Sequence, residues 1–155
     1  MDRFYSHYTN RFDAKGRISV PAAFRAVLAK EGFEGVFAHP GLESPALDCG
    51  GASLLKSIHS LLESMPPYSR EREDLSMALL GVGELLRLDS EGRMMLGERL
   101  RAEIGLKDEA VFVGQGEKFQ IWEPIRFGAH LEEAKSRVRA MRSHLGLETE
   151  RGARE

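Results

Sequence analysis

The chain has 155 residues, 42% hydrophobic and 30% charged, the size and balance of one folded domain with short extensions. Its net charge is −2, so no global positive excess draws it to nucleic acid, and apolar runs such as Ala78-Leu79-Leu80 are far too short to cross a bilayer. A single cysteine, Cys49, excludes an internal disulfide, and Met1-Asp2-Arg3-Phe4 lacks the apolar stretch of a signal peptide, so a cytoplasmic location is expected.

Residues 7–20 read as a hairpin. Tyr8, Phe12, Ile18 and Val20 are strand formers around a turn at Ala14-Lys15-Gly16, where Gly16 can take the positive φ that such turns demand. Pro21 ends the second strand and suits the first turn of a helix over Ala22 to Lys30, with Phe24, Val27 and Leu28 on one side and Gly32 as its stop. Val36-Phe37-Ala38 and Ala46-Leu47-Asp48 read as short strands around a loop containing Pro40, Gly41 and Pro45. Leu54, Leu55, Ile58, Leu61 and Leu62 give a helix one apolar face, which Pro66-Pro67 terminates. A second helix is expected from about Ser69 to Leu80, with Leu75, Leu79 and Leu80 inward.

Glu84 to Leu88 then leads into a turn at Ser90-Glu91-Gly92, and Arg93-Met94-Met95-Leu96 leads out. Glu98 to Ile104 is a helix followed by Gly105. Ala110 to Val113 and Lys118 to Trp122 are closing strands, joined by Gly114-Gln115-Gly116-Glu117. A last helix starts at about Ile125. Along it, Leu131, Ala134, Val138, Met141 and Leu145 step by 3 and 4 residues in a coiled-coil-like seam, which could form an intermolecular coiled coil but is expected rather to pack on the chain's own barrel. The polar tail after Gly146 is expected to be disordered.

The chain repeats itself. Asp13-Ala14-Lys15-Gly16-Arg17 and Asp89-Ser90-Glu91-Gly92-Arg93 share Asp-x-x-Gly-Arg at an offset of 76 residues, and Phe24-Arg25 matches Leu100-Arg101 at the same offset. Two copies are too few for a solenoid, so one pseudo-symmetric domain of two half-units is expected, which suits a partner with repeating geometry such as duplex DNA. Residues 1–25 carry Arg3, Arg11, Lys15, Arg17 and Arg25 against Asp2 and Asp13, a local charge of +3 that can attract phosphate even on an acidic chain.

At Asp13-x-Lys15-Gly16-Arg17-x-x-x-Pro21 the sequence resembles the AbrB/SpoVT class of swapped-hairpin DNA-binding domains. Two such units, a helical insert, a C-terminal helix and the Val-Gly-Gln-x-x-Lys-Phe-x-Ile-Trp segment from Val113 to Trp122 resemble the MraZ family from about Tyr5 to Leu145. The resemblance implies an α+β fold in which two swapped-hairpin half-units form one pseudo-symmetric β-barrel with flanking helices. The units are expected at 5–52 and 82–125, with the helical insert at 53–81, the C-terminal helix at 126–145 and a flexible tail at 146–155. It also implies a ring homo-oligomer that binds repeated promoter sites on double-stranded DNA. The expected targets lie upstream of the bacterial division and cell-wall gene cluster, including the regulator's own gene, with repression as the usual outcome and a nucleoid-associated location.

Carried over by position, Lys15, Arg17 and Arg93 face DNA. A turn projecting long cationic side chains from a rigid hairpin can enter the major groove, where Arg bonds bidentately to guanine, while Lys and the flanking Arg11 and Arg25 suit phosphates. Glu91 replaces Lys15 in the second copy. Its charge should repel phosphate, so the first copy is expected to dominate binding, with Glu91 paired to a neighbouring Arg. Asp13 and Asp89 open turns and are read as structural acceptors of backbone N–H groups.

No enzymatic activity, cofactor, metal or small-molecule substrate is expected. His7, His39, His59, His130 and His144 fall in no ligand spacing, and His130 with Glu133 is a lone pair three residues apart. Cys49 reads as a small buried residue, Trp122 as core, and the glycines at 114 and 116 precede no phosphate-loop lysine. Two other readings are an antitoxin-like regulator that binds a toxin partner through its C-terminal segment, and a structural ring scaffold without DNA.

Overall fold

In the computed structural model, residues 2–154 are described, with side chains as far as Arg142. The chain forms a body up to Glu123 and a separate helical unit from Pro124. The body begins with β1 (His7–Arg11), β2 (Arg17–Ser19), α1 (Ala22–Lys30), β3 (Gly35–Pro40) and β4 (Leu47–Gly50). An insert follows, made of α2 (Ala52–Glu63), α3 (Arg70–Ser76) and a π-helical turn at Met77–Gly81. The first arrangement then recurs as β5 (Glu84–Arg87), β6 (Arg93–Met95), α4 (Glu98–Glu103), β7 (Glu109–Gly114) and β8 (Phe119–Trp122). The α+β class holds, with mostly antiparallel pairing and five α-helices among the described residues.

The sheet order is β1-β7-β8-β4-β3-β5. Exchanging each strand for its counterpart in the other half returns the same order read from the opposite edge, so the repeat in sequence is a repeat in topology. The halves also exchange strands. β1 pairs antiparallel with β7, from His7 opposite Val113 to Arg11 opposite Glu109, and β5 pairs with β3 in the equivalent way. The expected hairpin over residues 7–20 therefore has its strands and its turn, but β1 is laddered to the other half. β2 pairs only with β6, in a two-stranded ribbon with Ile18 opposite Met94 at its centre. The expected closed barrel is corrected on this point. The six-stranded sheet and the three-residue ribbon strands are separate ladders, and among the described residues no ladder joins edge strands β1 and β5.

Alternation in sequence explains what is buried. Phe24, Val27 and Leu28 of α1, Leu100 of α4, Ile18, Met94, Val36, Phe112, Phe119 and Ile121 form one core drawn from both halves. Each such side chain contributes about 1.5–3 kcal/mol on leaving water. Phe37 on β3 receives the insert, because Leu54, Ile58 and Leu62 recur on the inward face of α2 and join Leu79. Leu61 of the expected apolar face is instead about half exposed, at 49%. Trp122 is buried as expected, and its indole N–H donates to Gln120 Oε1 at 2.8 Å.

The last helix, α5 (Pro124–Arg154), starts one residue before Ile125. Within it Val138 and Met141 are exposed, Lys135 pairs with Glu132 and Arg137 with Glu133, each at 3.7 Å. The side chain of Leu145, the last seam residue, lies outside the described ones. No helix among the described residues is long and apolar enough to cross a membrane.

Candidate functional site

The two Asp-x-x-Gly-Arg turns flank the β2–β6 ribbon and are built bond for bond alike. In the first, Asp13 Oδ1 accepts the backbone N–H groups of Lys15 and Arg17, both at 2.9 Å. Asp13 Oδ2 accepts from Arg17 Nε at 2.7 Å, the Asp13 N–H donates to Arg17 O at 2.8 Å, and Gly16 N–H closes on Asp13 O at 3.0 Å. In the second, Asp89 Oδ1 accepts from the Glu91 and Arg93 backbone N–H groups at 2.9 and 3.0 Å, and Oδ2 from Arg93 Nε at 3.0 Å. The same backbone bonds follow at 2.8 and 3.0 Å. Gly16 and Gly92 carry φ of +82° and +78°, a left-handed conformation that explains the Gly shared by the two copies.

Both aspartates are thus turn-builders. Backbone N–H donation, from Arg17 to Asp13 and from Arg93 to Asp89, is the largest influence on each carboxyl and holds it below its ordinary value. A carboxyl depressed on folding stabilises the fold above its unfolded value of about 3.9 and loses that contribution as pH falls through the lower folded value. An NMR acid titration should therefore move the Lys15 and Glu91 amide signals with midpoints below about 3.9. Midpoints at or above that value would mean the bonds do not form in solution.

The frames match, but the charges they display do not. From Asp13 to Arg17 two cations stand against one carboxylate; from Asp89 to Arg93 two carboxylates stand against one cation. Arg17 is held by Asp13 through Nε, and among the described residues it pairs with no other carboxylate. Lys15 is exposed and forms no ion pair among those residues. Arg93 is different: its Nε faces Asp89 at 3.0 Å, Nη1 faces Asp13 across the ribbon at 3.7 Å, and Nη2 faces Glu91 at 3.5 Å. Glu91 does pair with a neighbouring Arg, as its sequence position suggested.

The flanking cations separate in role. Arg11 is exposed at the end of β1, directly opposite Glu109 in the ladder. Arg25 is half-buried and crosses between halves: its Nε donates to Val20 O at 3.1 Å, and its guanidinium lies so close to Gly92 that a Cβ there would sit 2.6 Å from it. Its repeat partner Arg101 stacks 4.2 Å from the centre of the Phe12 ring and donates to Lys107 O at 2.7 Å. The apolar-Arg signature of both helices thus clamps each helix to the turn region.

Two features escaped the sequence reading. Arg87 is exposed at the end of β5 and stands 76 residues after Arg11, so the repeat begins with Arg, two residues before the Asp. The second is a part-buried polar network. Asp48 on β4 accepts from Gln120 Nε2 at 2.7 Å and Lys118 Nζ at 3.0 Å, and Gln115 Nε2 donates to Gln120 Oε1 at 3.2 Å. The Val113 to Trp122 segment is thereby given a structural role, binding the two halves at the middle of the sheet.

Little else invites chemistry. Burial pushes the Cys49 thiol up, which makes it a poor nucleophile. Among the described residues no three His, Cys, Asp or Glu side chains converge as a metal site.

Comparison with known proteins places the chain. A family model described as "MraZ protein, putative antitoxin-like" matches residues 80–145. Over 145 residues the chain is 58% identical to a transcriptional regulator MraZ of Beijerinckia indica subsp. indica, covering 94% of this chain and 88% of that relative. A relative of the same name from Xanthobacter autotrophicus is 54% identical over 150 residues, covering 97% and 96%. Another, from Rickettsia canadensis, is 39% identical over 135 residues, covering 87% and 91%.

Proposed function

The chain belongs to the MraZ family, and from that membership we propose that it regulates transcription by binding duplex DNA through the ribbon that carries its two turns. One observation carries the reading: Lys15 and the Arg17 guanidinium stand on a turn whose backbone is fixed by four hydrogen bonds, and among the described residues Lys15 pairs with no carboxylate and Arg17 with none but Asp13. The backbone of such a tip meets DNA already ordered, so little loop entropy is lost on binding. Arg11 supplies a further phosphate contact beside it. Arg25 and Arg93 hold the turns in shape.

The strand exchange between halves supports the AbrB/SpoVT-type swapped-hairpin reading, in which each half-unit is completed by the other. The sites expected are repeated sequences upstream of the division and cell-wall gene cluster that includes the regulator's own gene, with repression as the outcome. One protomer offers a small contact area. Copies joined in a ring gain effective concentration on repeated sites, which turns weak single contacts into tight binding.

The test is a fluorescence-anisotropy titration of DNA from upstream of the protein's own gene against scrambled DNA, for wild type and Lys15→Ala. Wild type should prefer the upstream DNA. Lys15→Ala should weaken binding to both DNAs alike and flatten the plot of log affinity against log salt by about 0.9, the loss of one neutralised phosphate. Equal binding to both DNAs, unchanged in Lys15→Ala, would sink the reading.

A further inference from the structure

The two turns share every backbone bond, so whatever distinguishes them lies in their side chains. One repeat position decides it: Lys15 in the first turn, Glu91 in the second. We propose that Glu91 is a specificity determinant that silences the second turn and makes the protomer a one-headed reader of DNA. The inference rests on the DNA-binding reading above and adds which half of the molecule does the reading.

Three observations combine. Glu91 is exposed, with 71% of its side chain accessible, so its charge faces whatever approaches the ribbon. Its carboxylate stands 3.5 Å from Arg93 Nη2, on an atom that a phosphate or guanine would otherwise engage. The remaining nitrogens of that guanidinium face Asp89 and Asp13, so each of the three already meets an anion. An exposed ion pair is individually weak and is not a lock. The exclusion comes from the field: the second turn is net −1 where the first is net +1, and duplex DNA presents a phosphate about every 1.7 Å along its axis.

The arrangement has a consequence for the site. A topologically two-fold ribbon with two equal heads would match a DNA site of two-fold symmetry. With Glu91 the scaffold keeps that symmetry and the binding surface loses it, so one protomer reads one direct sequence element. Repeated direct elements then suit repeated protomers.

Glu91→Lys restores the charge pattern of the first turn on an unchanged backbone. The experiment is the same anisotropy titration, with upstream DNA, over about 50–200 mM salt. It compares wild type, Glu91→Lys, Lys15→Ala and, as a charge control, Glu63→Lys on the exposed side of α2. Thermal melting of each variant verifies folding. Glu91→Lys should tighten binding by about tenfold and steepen the salt dependence by about one to two phosphates' worth, and Glu63→Lys should do neither. Wild-type affinity and slope in Glu91→Lys would overturn the proposal, as would equal tightening by Glu63→Lys. In both cases a normal loss in Lys15→Ala would leave the DNA-binding reading standing. No effect of any variant, with no preference for upstream DNA, would remove that reading and this one with it.

Discussion

Replacing Arg17 with Ala is expected to weaken binding to upstream DNA by about 1–3 kcal/mol, while binding to scrambled DNA falls far less. The asymmetry follows from how the side chain is held. Nε is committed to Asp13 at 2.7 Å, which restrains the guanidinium plane, and no other carboxylate among the described residues pairs with it. A restrained guanidinium fork matches the O6 and N7 acceptors of guanine, and that match is where discrimination arises. Arg17→Lys should keep most of the non-specific affinity and lose most of the preference, because an ammonium supplies charge without the fork. The Asp13–Arg17 pair is about one-third exposed, so stability should change little. Competition between upstream and scrambled DNA measures the preference, and a thermal melt checks the fold. An Arg17→Ala variant that keeps the wild-type preference would place the reading head elsewhere.

The sequence disclosed what is local. Pro21 and the spacing of Phe24, Val27 and Leu28 marked α1 at its observed bounds, and Gly114 to Glu117 marked the β7–β8 connection. The two Asp-x-x-Gly-Arg turns were legible because a repeated short-range hydrogen-bond pattern leaves a repeated short-range signature. Partner choice was not legible. Nothing in Tyr8, Thr9 or Asn10 states that β1 will pair with residues 109–113 and not with β2, since strand propensity carries no address. Ladder closure failed for the same reason: separate ladders and one closed barrel draw on identical strands. At the site, sequence position correctly paired Glu91 with an Arg, but the reach of Arg93 across to Asp13 needed three dimensions. Arg25 is expected from its charge to contact phosphate, and its close approach to Gly92, which the sequence does not show, gives it a structural contact as well.

That contact depends on α1, and α1 depends on Phe24. The ring is fully buried and meets Phe4 at 5.2 Å edge-on, Phe119 at 4.9 Å and Tyr8 at 5.5 Å edge-on. Phe119 belongs to the second half, and Phe4 is tied to it by backbone bonds with Gly116 at 2.8 and 2.9 Å, so Phe24 bridges the halves through their shared core. Phe24→Ala is expected to cost about 3–5 kcal/mol, from the lost transfer energy and the cavity left among rigid aromatic neighbours. Against a typical stability of about 5–15 kcal/mol, that is enough to leave a measurable unfolded fraction at physiological temperature. Phe24→Leu should recover most of the loss, because Leu100 occupies the equivalent position in α4 and is equally buried. Urea unfolding followed by Trp122 fluorescence gives both values, since that indole lies in the body's interior. A loss below about 1 kcal/mol in Phe24→Ala, well under the usual range for a buried aromatic, would mean that the exchanged strands alone hold the halves together.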